Sequence, residues 1–188
     1  MDYRMTGKVP ESRLHTQLLH HELKELAYLD EAVLPELARS FAKGWMAQRG
    51  DREIPRRSSF GPLDMPRATL SWVMVWEPVD GDYRCRLAGT GLRSDSGLEL
   101  TGCLLGELFA RKDNVWSEFD GVASGASYCF VERLILWSEA PPMIRTRLLL
   151  PLASDDGGPH RLVGLVGPSF RFDCDERGRL SKRANSPL

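Results

Sequence analysis

The side chains best suited to chemistry are sparse in this 188-residue sequence and form no familiar cluster. None of its four cysteines belongs to a C-x-x-C pair or has a histidine at the spacing of a zinc ligand: Cys85, Cys103, Cys129 and Cys174. A thiolate metal site needs such neighbours. The N-terminus lacks the apolar segment of a secretory signal, so we expect reduced, partly buried cysteines in a cytoplasmic protein. The sequence therefore predicts no metal site.

The other catalytic residue types are also isolated. The histidines are His15, His20, His21 and His160. A Ser-His-Asp site needs a base that a carboxylate holds against a nucleophile, and no such set can be argued from these positions. Asp155-Asp156 directly precede Gly157-Gly158, which indicates a turn. Gly89-Thr90-Gly91 lacks the lysine and the later glycines of a phosphate-binding loop. We therefore expect no enzymatic activity.

Composition and charge exclude further classes of function. The formal net charge of −1 gives no long-range field that would attract nucleic acid. The sequence has no run of about 18 apolar residues, the length needed to cross a bilayer. Its apolar share of 42% and charged share of 27% are ordinary for a globular protein. We therefore expect a domain with extensions that neither binds nucleic acid nor inserts into a membrane.

The front of the chain has helical periodicity. Leucines recur three and four residues apart between Arg13 and Leu29, which predicts an amphipathic helix after a flexible tail that ends at about residue 12. A second helix is predicted from Asp30 to Gly50, and Pro35 either starts or kinks it. A proline-rich loop then leads to the first strand.

The rest of the chain has mostly strand patterns. Two apolar runs flank Asp80-Gly81, a strong hairpin signal. In the second run Tyr83, Cys85 and Leu87 alternate with arginines, which predicts one buried and one solvated face. Short helices are expected between Leu92 and Gly125, and three strand-like runs follow. This order predicts an α+β fold: a five-stranded antiparallel sheet with short helices over one face and an N-terminal helical extension.

Several short motifs occur in a recognisable order. They are Trp45, the run from Arg49 to Pro55, the loop from Pro62 to Pro66, and the segments from Tyr83 to Thr90 and from Gly97 to Gly102. In this order the sequence resembles a PAS domain over roughly Leu34 to Phe172, and more narrowly the stand-alone bacterial PAS proteins. The helix predicted at the front departs from that pattern. We divide the chain into an N-terminal helical extension (1–50), a PAS-like domain (51–173) and a polar C-terminal tail (174–188), because the predicted front helices end at Gly50.

The resemblance implies a curved sheet around short helices and a small cavity that holds heme, a flavin, a small acid or nothing. Heme needs an axial histidine, and none lies between Leu92 and Gly125, where the cavity helices are expected. Cys103 lacks the neighbouring polar residues that hold a flavin. We therefore expect no cofactor. These inward-facing residues would either pack solidly against each other or surround a small ligand. They are Tyr83, Cys85, Leu87, Phe109, Trp116, Phe119, Thr146, Leu148 and Leu150.

The resemblance also implies dimerisation, often through N-terminal helices, and binding of partners through the sheet. The apolar residues expected at such interfaces are Leu19, Leu23, Leu26, Trp72, Trp76 and Trp137. We therefore expect a non-enzymatic sensory or interaction module of bacterial signalling. We expect it to form a homodimer and to contact a signalling protein. Whether a small ligand tunes it is left open. The alternative is a small-molecule binding protein or enzyme that uses the cavity.

Overall fold

The structure is a computed structural model that describes residues 14–96, 99–137, 140–158, 160–167, 170–174 and 180–182. The strands are β1 (Leu14–Glu25), β2 (Val73–Val79), β3 (Asp82–Ala88), β4 (Ser127–Trp137), β5 (Ala140–Leu152), β6 (Arg161–Val166), β7 (Phe170–Cys174) and β8 (Leu180–Lys182). The helices are α1 (Glu36–Arg49), α2 (Thr90–Ser96), α3 (Leu105–Leu108) and α4 (Val115–Ala123). Short 3-10 helices span Leu26–Glu31, Arg57–Ser59 and Arg67–Trp72. The predicted tail up to residue 12 lies outside the described residues, as does most of the segment from 175 onwards.

One antiparallel sheet organises the fold. Its strands lie in the order β1-β4-β5-β6-β2-β3, while β7 pairs with the start of β5 and β8 pairs with β7. Strands β2 to β6 are the five that the sequence predicts, and α2 to α4 lie between β3 and β4 as expected. The predicted α+β class with an antiparallel sheet and short helices is therefore confirmed.

The helix predicted from Arg13 to Leu29 is wrong, because the segment forms strand β1. Residues Leu14–Glu25 pair with β4 along its whole length, and a register shift between Leu18 and His20 interrupts the ladder. That bulge also breaks the two-residue alternation that would have indicated a strand. Pairing with β4 outweighs the helical propensity of the leucines, as tertiary context commonly does.

The centre of the sheet is buried on both faces, which corrects the expectation of one solvated face. Leu148, Leu149 and Leu150 are consecutive in β5, and each is fully buried. Helix α1 covers one face with Phe41 and Trp45, whose indole N–H donates to the Pro151 carbonyl at 2.9 Å. Helices α2 to α4 cover the other face. A strand buried on both sides has a continuous apolar run instead of alternation.

Glycine and proline positions correctly predicted several local features of the backbone. Asp80 and Gly81 both have positive φ, 47° and 77°, and Val79 pairs with Asp82, so β2 and β3 form the predicted two-residue hairpin. Pro35 directly precedes α1 and starts it without a kink. At the exit of β3, a Cβ on Gly89 would lie 2.4 Å from the Ser71 carbonyl oxygen. Only glycine allows that approach between two backbone segments.

Candidate functional site

Four of the predicted cavity residues meet between α4 and the sheet. Tyr83 and Cys85 project from β3, and Trp116 and Phe119 project from α4 into one buried cluster. The rings of Tyr83 and Phe119 lie 5.1 Å apart between centroids, and those of Tyr83 and Trp116 lie 6.3 Å apart. Trp76 joins them edge-on at 5.4 Å from Phe119. We call Trp76, Tyr83, Trp116 and Phe119 the aromatic cluster.

The other predicted cavity residues lie elsewhere. Leu148 and Leu150 face α1 on the opposite side of the sheet, and Thr146 shares their face by alternation. Leu87 is 39% exposed and Phe109 is 40% exposed. Because β5 is buried on both faces, its sequence has no alternation of apolar and polar residues. The pattern therefore could not show which leucines face α1 and which face α2 to α4.

One end of the aromatic cluster is polar. The Tyr83 hydroxyl donates a hydrogen bond to Asp120 at 2.7 Å. Burial raises the pKa of Tyr83, and this hydrogen bond raises it further. The Arg111 guanidinium stacks 3.5 Å from the centroid of the Trp116 ring. The Trp116 indole N–H is buried, and no hydrogen-bond acceptor lies within reach among the described residues. This N–H is therefore a donor that a water molecule or a bound acceptor group would satisfy.

A buried charge cluster lies beside the aromatic cluster. Glu118 on α4 is fully buried and pairs with Arg133 of β4 and Arg147 of β5. His21 of β1 lies 3.8 Å away, and the Arg147 guanidinium lies 5.3 Å from the Phe119 ring. Burial lowers the pKa of Arg147, and the charge of Glu118 opposes that shift. The cluster thus connects α4 to three strands, including the N-terminal one.

Sequence reasoning missed Glu118, although a signal was present. Val115, Glu118, Phe119 and Val122 follow the spacing of one buried helical stripe, and all four are buried. An acidic residue inside such a stripe requires buried cationic partners. Those partners are Arg133 of β4 and Arg147 of β5, which come from two other elements of the chain.

The cysteines have the character expected of buried thiols. Burial raises the pKa of both Cys85 and Cys129 to about 12, and it also raises that of the partly exposed Cys103. Such thiols stay protonated at neutral pH and are poor nucleophiles. In the parts of the chain that the structure describes, no group of His, Cys, Asp and Glu is arranged to hold a metal ion.

The interface candidates divide between core and surface. Leu19 and Leu23 on β1 are 45% and 38% exposed. Trp76 and Leu26 are buried, and Trp72 is half-buried against both faces of the core. Trp137 lies in β4, but its side chain is outside the described residues. The exposed apolar positions of this set therefore belong to β1.

The comparisons with known proteins agree with this architecture. The sequence profile of the PAS domain family matches residues 35–167, from the start of α1 to just beyond β6. The chain therefore belongs to the PAS domain family, as its motifs indicated. Searches of curated proteins and of solved structures returned no significant match. Strand β1 precedes the matched range. Within the described residues no helix has the length and apolar character required to span a membrane.

Proposed function

We propose that this protein is a non-enzymatic PAS-type module of bacterial signalling that acts by self-association, as a homodimer, and by contact with a signalling protein. Membership of a family of sensory and interaction domains is the observation that carries the proposal. The proposal places the protein in the cytoplasm. Residues 1–50 serve as the extension through which contact is made, with 51–173 as the sensory domain and 174–188 as a polar tail.

The distribution of exposed apolar residues supports a contact role for the N-terminal region. Five large apolar side chains with at least a third of their area exposed lie close together in the sequence on β1 and just after it: Leu18, Leu19, Leu23, Tyr28 and Val33. A concentration of exposed apolar surface on one edge is typical of an interaction site. The buried charge cluster links this edge to α4 through His21 and Glu118, so a change at α4 has a direct route to β1.

Tuning by a small ligand is the finer part of the proposal. The buried, unsatisfied Trp116 N–H supports it, because a carboxylate or carbonyl oxygen would complete that donor. Tyr83, Cys85 and Phe119 form the apolar wall of the same region. The same observation favours the second candidate function, a small-molecule binding protein or enzyme whose ligand would bind beside Trp116.

Native and denaturing mass spectrometry of the purified protein distinguish these functions. A dimer without added mass supports the interaction module, while added mass that is lost on denaturation supports a ligand-tuned module or a binding protein. Substitution of Trp116 by Phe removes the donor and keeps an aromatic ring, so it should release the added mass without changing the oligomer. A bare monomer at high concentration that captures no protein from bacterial extract would refute the proposal.

A further inference from the structure

Strand β1 presents an open edge. The Leu26 N–H donates to the Ala126 carbonyl at 2.9 Å, so Leu26 faces β4. Alternate residues of an antiparallel ladder point the same way, and the backbones of His21, Leu23 and Glu25 therefore face outward. No described strand pairs with that side of β1. An edge whose backbone groups are unpaired can serve as a template for pairing with another strand.

A groove lies along the same edge. It encloses about 670 Å³ and is lined by the second half of β1 and by the turn that follows, including Leu23, Tyr28, Glu31 and Val33. Leu23 reaches over α4, where a Cβ on Gly121 would lie 2.8 Å from its Cδ2 atom. The glycine therefore leaves room for an apolar side chain beside the open edge.

We propose that the edge is occupied by β1 of a second copy, antiparallel and centred on Leu23, so that the two sheets become continuous. This proposal rests on the self-association proposed above and specifies its interface. The charge pattern of β1 is what selects a second copy as the occupant. About a two-fold axis at Leu23, Glu22 lies opposite the partner's Lys24 and His21 lies opposite the partner's Glu25.

Neighbouring registers lack this complementarity. A two-fold axis at Glu22 sets that residue against its own copy, and an axis at Lys24 sets two lysines together. An axis at His21 brings the irregularity between Leu18 and His20 into the new ladder. Like charges directly opposite each other destabilise a strand pair. Of these registers, only an axis at Leu23 pairs the outward-facing backbone groups of β1 and also places opposite charges across from each other.

The Leu23 register also explains the exposed leucines. Beyond the paired residues 21–25, the partner's Leu18 and Leu19 lie toward the turn that contains Tyr28, which is 51% exposed at the groove. Two copies of Leu23 meet at the axis, each above Gly121 of its own chain. The groove and the exposed apolar residues are thus covered by the same contact.

Charge reversal tests the register. E22K and K24E each place like charges opposite each other in a homodimer, and each should weaken the dimer by about tenfold or more. In a mixture of the two variants every such pair becomes attractive, so we expect a heterodimer. An affinity tag on E22K should retain untagged K24E but little untagged E22K. Circular dichroism and thermal unfolding must show that both variants fold, because Glu22 accepts a hydrogen bond from Tyr128.

Disulfide crosslinking is an independent test that leaves the charges intact. In L23C the two new thiols would face each other at the axis with Cα atoms about 5.5 Å apart, within disulfide range. Oxidised glutathione should therefore convert L23C to a covalent dimer and release two molecules of reduced glutathione. L63C is the matched control, because Leu63 is fully exposed and lies outside β1.

The outcomes separate this interface from self-association itself. A wild-type dimer with weakened single variants, a restored mixture and an L23C crosslink is the expected result. A wild-type dimer that tolerates both charge reversals and gives no L23C crosslink would overturn the interface and leave self-association intact. A wild-type dimer whose variants dissociate and do not recombine would overturn the Leu23 register. A wild-type monomer would overturn both this interface and the self-association of the proposed function.

Discussion

Glu118→Gln is the substitution that tests the buried charge cluster most directly. The change keeps the size of the side chain and removes the negative charge that neutralises Arg133 and Arg147. Loss of one partner from a buried ion pair costs about 3–5 kcal/mol, since the remaining charge stays desolvated. Arg133 retains 22% exposure and can regain water, whereas Arg147 retains 12%. We therefore expect the lower end of that range, about 3 kcal/mol.

Urea unfolding followed by circular dichroism measures this loss in the free energy of unfolding. A loss of about 3 kcal/mol should lower the thermal midpoint of a chain of this size by about 6–12 °C. Asp120→Asn is the matched control on the same helix, because Asp120 is exposed and the asparagine side-chain oxygen can still accept the hydrogen bond from the Tyr83 hydroxyl. It should change stability by less than about 0.5 kcal/mol.

A second variant checks that the loss comes from unpaired charge. In E118Q/R147M the more buried of the two guanidinium groups that lose Glu118 is also removed, so the double variant should be less destabilised than the sum of the single variants by about 0.5–3 kcal/mol. If E118Q unfolds at the same urea concentration as the wild type, the two arginines are hydrated without Glu118. That result would refute the inference that this cluster fastens α4 to the sheet.

Three further predictions concern the core. Gly164→Ala should cost about 1–3 kcal/mol in urea unfolding, because its Cβ would lie 2.8 Å from Cδ2 of the fully buried Leu149; a neutral result would show a loosely packed sheet centre. Burial and the bond to Asp120 raise the pKa of Tyr83 above its ordinary value of 10.0, so its contribution to stability is complete below about pH 10 and is lost as the pH rises further. Urea unfolding at pH 8 and pH 11 should therefore show a larger loss for the wild type than for Tyr83→Phe, and equal losses would contradict the pKa shift. Cys85 and Cys129 should react with an aromatic disulfide reagent at pH 8 much more slowly than Cys103, and equal rates would contradict their burial.

Features determined by local sequence were predictable here. The Asp80-Gly81 hairpin follows from two residues that tolerate positive φ, and α3 and α4 follow from short apolar spacings between glycines. The order of motifs was sufficient to identify the PAS family, now matched over residues 35–167.

Features that depend on distant partners were not predictable in the same way. Strand β1 is held by β4, more than a hundred residues later, and its bulge conceals the alternation of a strand. The leucine run of β5 is apolar on both faces, so Leu148 and Leu150 could not be assigned to a side. The role of Glu118 could be predicted only by combining its position in the buried stripe of α4 with two arginines from other elements, and these arginines are distant in the sequence.

Sedimentation equilibrium of the wild-type protein over a wide concentration range tests the central claim of self-association most directly. A homodimer would have twice the chain mass of 21.2 kDa at high concentration and would dissociate reversibly on dilution. The same measurement on K24E should show the transition shifted to higher concentration. A constant mass of one chain at every concentration would contradict the claim that this PAS protein works as a homodimer.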